Sequence, residues 1–378
     1  MVQDNPTFGV GVEIKKIEVY RATLRNKEPF RISAGSTVET RNVIVRLTTD
    51  HETFGWGESS PSKRVTGETA ETVVRAIDRF APKLIGMSAL RIEQIIDIID
   101  SAIKNCPAAV APIDMALYDI LGKTVRKPLF MLLGGFRTRV LSDLTMSIKS
   151  PREMANDASE AVKKGFKAIK VKVGLNPRED VERVKLVREA AGPDVEIRID
   201  ANQGWTTKQA IPTLNAIEKF DVQFAEQPIP AGDFRKLRAV RKDSPIPIMA
   251  DESVHSPEDA VQLIMAEAAD MINIKLMKSG GILKARKIAE VAESAGIPCM
   301  IGCMSESGLG IAAAGHLAAA TRNIRYADLD SDLMHLDKLV KKGGLGLEES
   351  HRVFQETAGL GVEELDQNLL GKPLKIYK

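Results

Sequence analysis

Cysteine is scarce: Cys106, Cys299 and Cys303 are the three in 378 residues. They match neither a paired disulfide framework nor metal-knuckle spacing, which fits a reducing compartment and leads to the expectation of a cytoplasmic protein. Charge of one sign is lacking too. The formal net charge is +2 and no basic run stands out, so composition gives no case for nucleic acid. No uninterrupted apolar run reaches the roughly 18 residues of a membrane span. The opening Met1-Val2-Gln3-Asp4 lacks the charged-then-apolar pattern of a secretion signal. What remains is ordinary for a globular protein, with 44% hydrophobic and 28% charged residues, so a large core is available. The length suits one domain of about 250 residues and a smaller one.

The smaller unit comes first. Residues 12–24 and 42–49 alternate with many β-branched side chains and read as antiparallel strands. Between them, Pro29-Phe30-Arg31-Ile32-Ser33-Ala34-Gly35-Ser36 reads as a loop too long for a tight hairpin. A glycine-broken stretch, Gly55-Trp56-Gly57-Glu58, leads into a loop through Val65-Thr66-Gly67, and helical periodicity follows near residues 68–84, 89–103 and 111–124. Strands followed by helices without alternation indicate an α+β unit, which exits at Leu132-Leu133-Gly134-Gly135.

From about residue 140 strands and helices alternate. Ser150-Pro151-Arg152-Glu153 and Ser256-Pro257-Glu258-Asp259 each offer a capping hydroxyl, a first-turn proline and an acid at the third position. Candidate strands end near Ser147, Val173, Asp200, Glu226, Asp251, Lys275, Cys303 and Asp328. A spacing of about 25 residues holding one strand and one helix is the unit of a (β/α)₈ barrel. A leucine-rich solenoid has a similar period but needs a leucine and asparagine frame that is absent. The predicted fold class is therefore α/β: a (β/α)7-8 TIM-type barrel with an N-terminal α+β capping domain. The expected units are residues 1–135 for the cap with its specificity loops, 136–335 for the catalytic barrel, and 336–378 for a segment returning to the cap.

Barrel chemistry sits at the carboxyl ends of the strands. The stretch Phe166-Lys167-Ala168-Ile169-Lys170-Val171-Lys172-Val173-Gly174 reads as a buried strand that puts Lys170 and Lys172 on one face. Two neighbouring ammonium groups disfavour each other, and a like-charged neighbour pushes a lysine from about 10.4 toward the roughly 7–8 useful for a base. A solvated edge strand with alternating lysines is the competing reading. Asp200, Glu226 and Asp251 end three successive strands, and three hard oxygen donors on neighbouring strands suit octahedral Mg²⁺. Lys275 ends the sixth strand, across the ring from Lys172, so a metal-chelated carboxylate would hold its α-carbon between two lysines. A salt bridge from Lys275 to Asp251 or Glu252 is the alternative. Asp328 and Asp330 share a face of the eighth strand end and read either as an ammonium-binding pair or as an acidic turn. The seventh, Cys299-Met300-Ile301-Gly302-Cys303, suits lying along a peptide-like substrate, and no histidine is placed to make Cys303 a nucleophile.

These stretches, with Ile113-Asp114-Met115-Ala116-Leu117-Tyr118-Asp119, Asp200-Ala201-Asn202, Glu226-Gln227-Pro228, Ala250-Asp251-Glu252-Ser253 and Asn273-Ile274-Lys275-Leu276-Met277-Lys278, resemble the enolase superfamily, muconate-lactonizing subgroup, over nearly the whole length. The Asp328-x-Asp330 pair resembles that of its dipeptide epimerases, of the L-Ala-D/L-Glu type. The resemblance implies a Mg²⁺-dependent isomerase that inverts the α-carbon of a dipeptide's carboxy-terminal residue by proton transfer through an enediolate. Lys172 and Lys275 would be the acid/base pair and Asp200, Glu226 and Asp251 the metal ligands. Lys170 would assist at the carboxylate and lower the pKa of Lys172, while Thr145, Cys303, Asp328 and Asp330 would line the dipeptide site. Loops carrying Arg31, Gly35, Val65 and Thr66 would set specificity, and a homo-oligomer is expected. In the Ala-Glu enzymes an arginine on the first loop pairs with the glutamate side chain, and the aligned position here is Gly35. An uncharged or hydrophobic second residue is therefore expected, unless Lys63 or Arg64 substitutes for that cation.

Two enzyme readings compete. Cycloisomerase or o-succinylbenzoate synthase chemistry keeps the five core residues with a single lysine base, but has no call for Asp328 and Asp330. Mandelate-racemase-like chemistry needs a histidine late in the barrel, and His51, His255, His316, His335 and His351 do not fall there. A non-enzymatic binding protein of this fold would be expected to have lost metal ligands.

Overall fold

The computed structural model describes residues 12–378, so the reading of residues 1–4 falls outside it. Strands Ile14–Ile32 and Gly35–Thr49 form a long antiparallel ladder, extended by Phe54–Ser59 on one side and Lys375–Tyr377 on the other. Alternation puts Ile17, Val19, Val43, Val45 and Leu47 into the core, where helices Ala70–Leu84, Ile92–Ala102 and Pro107–Thr124 cover them. Lys375 pairs with Val19 and Tyr377 with Ile17, which carries the end of the chain back to its first strand.

Residues 29–36 are not the long loop their composition suggests. Arg31 pairs with Ser36 and Ile32 with Gly35, leaving only Ser33 and Ala34 at the tip of a tight hairpin. Gly35 closes the turn with a φ of +133°, a region that side chains rarely adopt. The surplus residues form a bulge, where the register shifts between Arg25 and Phe30. Its run Asn26-Lys27-Glu28-Pro29 has loop-like composition because residues outside the regular ladder face the same polar surroundings as a loop, although Asn26 bridges to His335. The bulge is pinned by Arg25, whose Nε and Nη2 donate to Asp337 at 2.9 and 2.7 Å.

The glycines of Phe54–Ser59 allow helix Pro107–Thr124 to lie directly on the strand. A Cβ on Gly57 would stand 1.8 Å from the Pro112 carbonyl oxygen, and one on Gly55 would stand 2.0 Å from that of Ala116. Gly57→Ala is accordingly expected to cost about 3 kcal/mol by forcing the two backbones apart. A lower urea midpoint at unchanged m-value would register that loss.

The remaining strands form one parallel sheet in ring order: Leu144–Met146, Ala168–Lys172, Glu196–Asp200, Val222–Glu226, Ile248–Ala250, Met271–Lys275, Cys299–Gly302 and Ile324–Ala327. Each ends within one residue of its expected place. The seam between the first and last strands is closed by Asp143 N donating to Ala327 O at 3.2 Å, and Arg198 Nη1 reaches both Asp143 (2.9 Å) and Ala327 O (3.1 Å). This is the TIM-type barrel with its capping domain. Outer helices Pro151–Lys163 and Pro257–Met265 begin with reciprocal capping boxes, Ser150 with Glu153 and Ser256 with Asp259. No described helix is long and apolar enough to cross a membrane.

Candidate active site

A cavity of about 600 Å³ lies over the carboxyl ends of the barrel strands. Its walls include Phe30 and Ile32 from the hairpin, Arg64 and Val65 from the loop before Ala70–Leu84, and Lys172, Lys275 and Cys303 from the barrel. Strand alternation explains why Arg31, expected in this wall, is absent from it. Its neighbours Phe30 and Ile32 face the cavity, whereas Arg31 is exposed and its backbone is tied to Ser147 Oγ and Ile148 N. Thr66 also points elsewhere, donating its hydroxyl to Ser62 O at 3.2 Å inside its own loop.

Lys172 and Lys275 rise from the second and sixth strands, with three strands between them either way round the ring. Lys172 Nζ lies 2.5 Å from Asp200 Oδ2, and Lys275 Nζ 2.6 Å from Asp251 Oδ2. Burial pulls the Lys275 pKa down, but the fields of Asp251 and Glu226 outweigh it and hold the ammonium above the ordinary lysine value. The salt bridge raised as an alternative for Lys275 is thus present at the cavity wall itself.

Asp200, Glu226 and Asp251 sit at three adjacent strand ends, each essentially fully buried. Burial favours their neutral forms. Lys275 and Lys278 nevertheless keep Asp251 well below the usual carboxylate range, while burial and the charge of Asp200 push Glu226 up to about 7. Several neighbouring oxygens have no directed hydrogen bond, namely Glu226 Oε2, Asp251 Oδ1, Glu252 Oε2, Asn202 Oδ1 and Asn273 Oδ1. Two of these lie close to ammonium groups without hydrogen-bond alignment: Glu226 Oε2 is 2.7 Å from Lys170 Nζ and Asp251 Oδ1 is 2.6 Å from Lys278 Nζ. A crowd of hard, under-bonded oxygens on neighbouring strand ends fits a hard divalent cation. The tightest cluster lies elsewhere. Among the described residues, the three donors whose atoms all fall within 4.8 Å of one another are Cys303, Asp328 and Asp330.

Lys170 does not line the cavity. It is fully buried, and its Nζ lies 2.7 Å from Glu226, 2.8 Å from Asp328 and 3.3 Å from Asp200. It shares the inward face with Lys172 but sits two residues, about 6.6 Å, deeper along the strand. Lys170 thus stands below the cavity wall, against two of the carboxylates expected to hold the metal. Burial lowers its pKa, yet Asp328, Glu226 and Asp200 together hold it well above the ordinary value, making it a fixed positive hub between two acidic groups. On its far side, Thr145 N donates to Asp330 Oδ2 at 2.6 Å and Thr145 Oγ1 to Asp328 Oδ1 at 3.2 Å. Cys303, part of the cavity wall, has its Sγ 3.8 Å from Asp330 Oδ1.

Three further residues shape the site, of which Lys278 and Gln227 carry no role in the sequence reading. Lys278, almost fully buried on the short helix Leu276–Ser279, donates to Asn273 O at 3.0 Å and also to Asp251 O. Gln227, at a φ of +34°, accepts from Asp251 N at 2.9 Å and Ser253 N at 3.2 Å, locking the fourth strand end to the fifth. Burial and Asp251 push Glu252 up to about 8. The signal for Lys278 was its spacing, three residues after Lys275 and so one helical turn behind it.

The barrel with its cap and lysine–carboxylate mouth defines a class of enzyme, and sequence comparison agrees. The chain belongs to the enolase superfamily: the family described as "Enolase C-terminal domain-like" matches residues 153–368, and "Mandelate racemase / muconate lactonizing enzyme, N-terminal domain" matches residues 16–134. It is 41% identical over 353 residues to the hydrophobic dipeptide epimerase of Enterococcus faecalis, covering 93% of this chain and 99% of that one. Identity to the L-Ala-D/L-Glu epimerase of Clostridium acetobutylicum is also 41%, over 357 residues and with the same coverage. The N-succinyl-L-Arg/Lys racemase of Bacillus cereus is 36% identical over 360 residues, 91% of this chain and 98% of that one. The crystal structure of the E. faecalis dipeptide epimerase with Mg and L-Leu-L-Tyr superposes with a TM-score of 0.91, covering 93% of this chain and all of that one. These relatives place the chain among the isomerases acting on amino-acid derivatives.

Proposed function

We propose that the protein epimerises dipeptides at the α-carbon of the carboxy-terminal residue, with Lys172 and Lys275 moving the proton and Asp200, Glu226 and Asp251 holding Mg²⁺. The observation that carries this reading is the pair of lysines on opposite strands of one ring, both reaching the same cavity. Bound Mg²⁺ supplies positive charge beside the substrate carboxylate, where negative charge grows as the α-proton leaves. Lys172 takes or returns that proton on one face of the α-carbon and Lys275 on the other. Such positioned transfer contributes about 10²–10⁴-fold. Lys170 favours the ionised forms of Asp200 and Asp328, and Lys278 and Gln227 fix the direction of Asp251. Asp328 and Asp330 take the α-ammonium of the first residue, which favours a free dipeptide over an N-acylated amino acid and gives the pair a use that single-lysine cycloisomerase chemistry lacks.

The test follows α-hydrogen exchange by proton NMR in D₂O on a panel of L,L-dipeptides. Exchange at the second residue together with build-up of the L,D product is expected. It should vanish after dialysis against EDTA and return with Mg²⁺, which should also raise the Tm of the dialysed protein by mass action. No exchange with any dipeptide in the presence of Mg²⁺ would overturn the reading. The expectation of an uncharged second residue rests on the arginine missing at Gly35, and one of the two alternatives named with it, Arg64, stands beside that position.

A further inference from the structure

We infer that Asp114 of the capping domain is a positioning residue for Lys275, so that one of the two proton-transfer faces depends on the cap while the other is set within the barrel; this rests on the dipeptide reading above. Lys275 ends its strand, and the chain runs on without a free loop, through the short helix Leu276–Ser279 and two glycines into helix Ile282–Ser294. Gly280 N and Gly281 N both donate to Leu276 O, at 3.0 and 2.9 Å, and Ser279 Oγ donates to Lys275 O at 3.1 Å. Residues 272–283 are all buried. Where helix Ile282–Ser294 begins therefore decides where the Lys275 backbone stands.

The cap sets that beginning. Asp114, fully buried in the middle of helix Pro107–Thr124, accepts from Ile282 N and, at 3.3 Å, from Leu283 N, the first two amides of the barrel helix. First-turn amides have no partner within their own helix, and here the other domain supplies it. Gly281 turns the chain toward the carboxylate at a φ of +108°, and a Cβ there would stand 2.5 Å from Asp114 Cβ. From the barrel side Lys278 holds the same short helix by donating to Asn273 O at 3.0 Å. No cation pairs with Asp114 among the described residues: Lys284, which favours its ionised form, holds Asp100 at 2.7 Å instead. Burial accordingly pushes Asp114 up to about 7, so the fold should tolerate its neutral isostere asparagine. The strand end that carries Lys172 is fastened differently. Gly174 N donates to Asp180 Oδ2 at 3.0 Å, and Asn176 starts helix Pro177–Ala191 by accepting from Arg178 N at 3.1 Å, both within the barrel. The hairpin's Ser33 Oγ reaches the third strand end instead, donating to Ala201 O at 2.8 Å.

The test follows α-hydrogen exchange in D₂O by the full-length, Mg²⁺-loaded enzyme, starting separately from the L,L and L,D forms of the dipeptide that the wild type exchanges fastest. The diastereomer that Lys275→Ala no longer exchanges reports on Lys275, and the other reports on Lys172. Asp114→Asn keeps an oxygen for one amide but turns an NH₂ group toward the other. It is expected to slow the Lys275 diastereomer about tenfold and to leave the other within about twofold, because a misplacement of about 1 Å costs about 10²-fold and a smaller shift proportionately less. Gly281→Ala presses on the same carboxylate from the barrel side and should give the same one-sided loss, which supplies the answer if Asp114→Asn folds poorly. A merely structural role would lower the Tm and slow both diastereomers alike. Equal slowing of the two, or no slowing of either, overturns the assignment. Absence of exchange by the wild type with every dipeptide instead sinks the dipeptide reading on which it rests.

Discussion

Lys172→Ala and Lys275→Ala are each expected to lower epimerisation by at least about 10³-fold, since each removes one of two proton-transfer groups that must act in sequence. The informative part is what survives. A lysine confined to one face still removes the proton it can reach, so each variant should exchange the α-hydrogen of one diastereomer, without inverting it. The two variants should retain opposite diastereomers. Exchange of the same diastereomer by both would place the lysines on one side of the α-carbon and end the two-base mechanism. The surroundings differ in a way that affects folding. Removing Lys275 leaves Asp251 the ammonium of Lys278 at 2.6 Å, and removing Lys172 leaves Asp200 that of Lys170 at 3.3 Å. Neither carboxylate is stranded without a cation, so both variants should fold, and Lys172→Ala should lose more stability because its replacement partner is farther away. Thermal unfolding of the two variants measures that difference.

Much of this is legible in the sequence, for reasons that lie in particular residues. The barrel was legible because every strand end carries a punctuating polar group or glycine at a spacing near that of one strand and one helix. Asp200, Glu226 and Lys275 indeed terminate their strands. The hairpin was misread because a bulge and a loop share a composition: Asn26-Lys27-Glu28-Pro29 says only that these residues are not in a regular ladder. Lys170 shows a subtler limit. Alternation gives the face of a strand but not depth along the barrel axis, and two residues of depth separate a cavity wall from a buried ion-pair hub. Arg64 against Gly35 could not be ranked above Lys63, because contact between a hairpin tip and a facing loop leaves no periodic trace in either segment. The same holds for Gln227, whose hydrogen bonds to the next strand end are a product of barrel curvature.

The other large effect concerns the acid pair. Burial, reinforced by the charge of Asp328, pushes Asp330 up to about 7, whereas Lys170 holds Asp328 far below the usual range despite its burial. Asp330 in its ionised form attracts an ammonium group and in its protonated form does not. For dipeptides kcat/KM should therefore fall as the pH drops through about 7, approaching tenfold per unit on the acid side. Asp330→Asn keeps an oxygen to accept from Thr145 N but carries no charge, so it should lower kcat/KM for a free dipeptide by about 10²-fold, the loss of a buried charge-assisted contact. It should also flatten the acid limb of the pH profile. An N-acetylated dipeptide supplies the control, since it brings no ammonium. Wild type and Asp330→Asn should treat it almost alike, and their profiles for it should coincide, since only the part of the limb due to Asp330 depends on the ammonium. Asp328 would remain charged in the variant, so an ammonium still meets one anion, which is why a large loss rather than complete inactivity is expected. A variant that keeps both the preference for the free amine and the acid limb would show that Asp330 does not read the amino group. The pair would then serve only to anchor Lys170, and the site would be open to acylated amino acids.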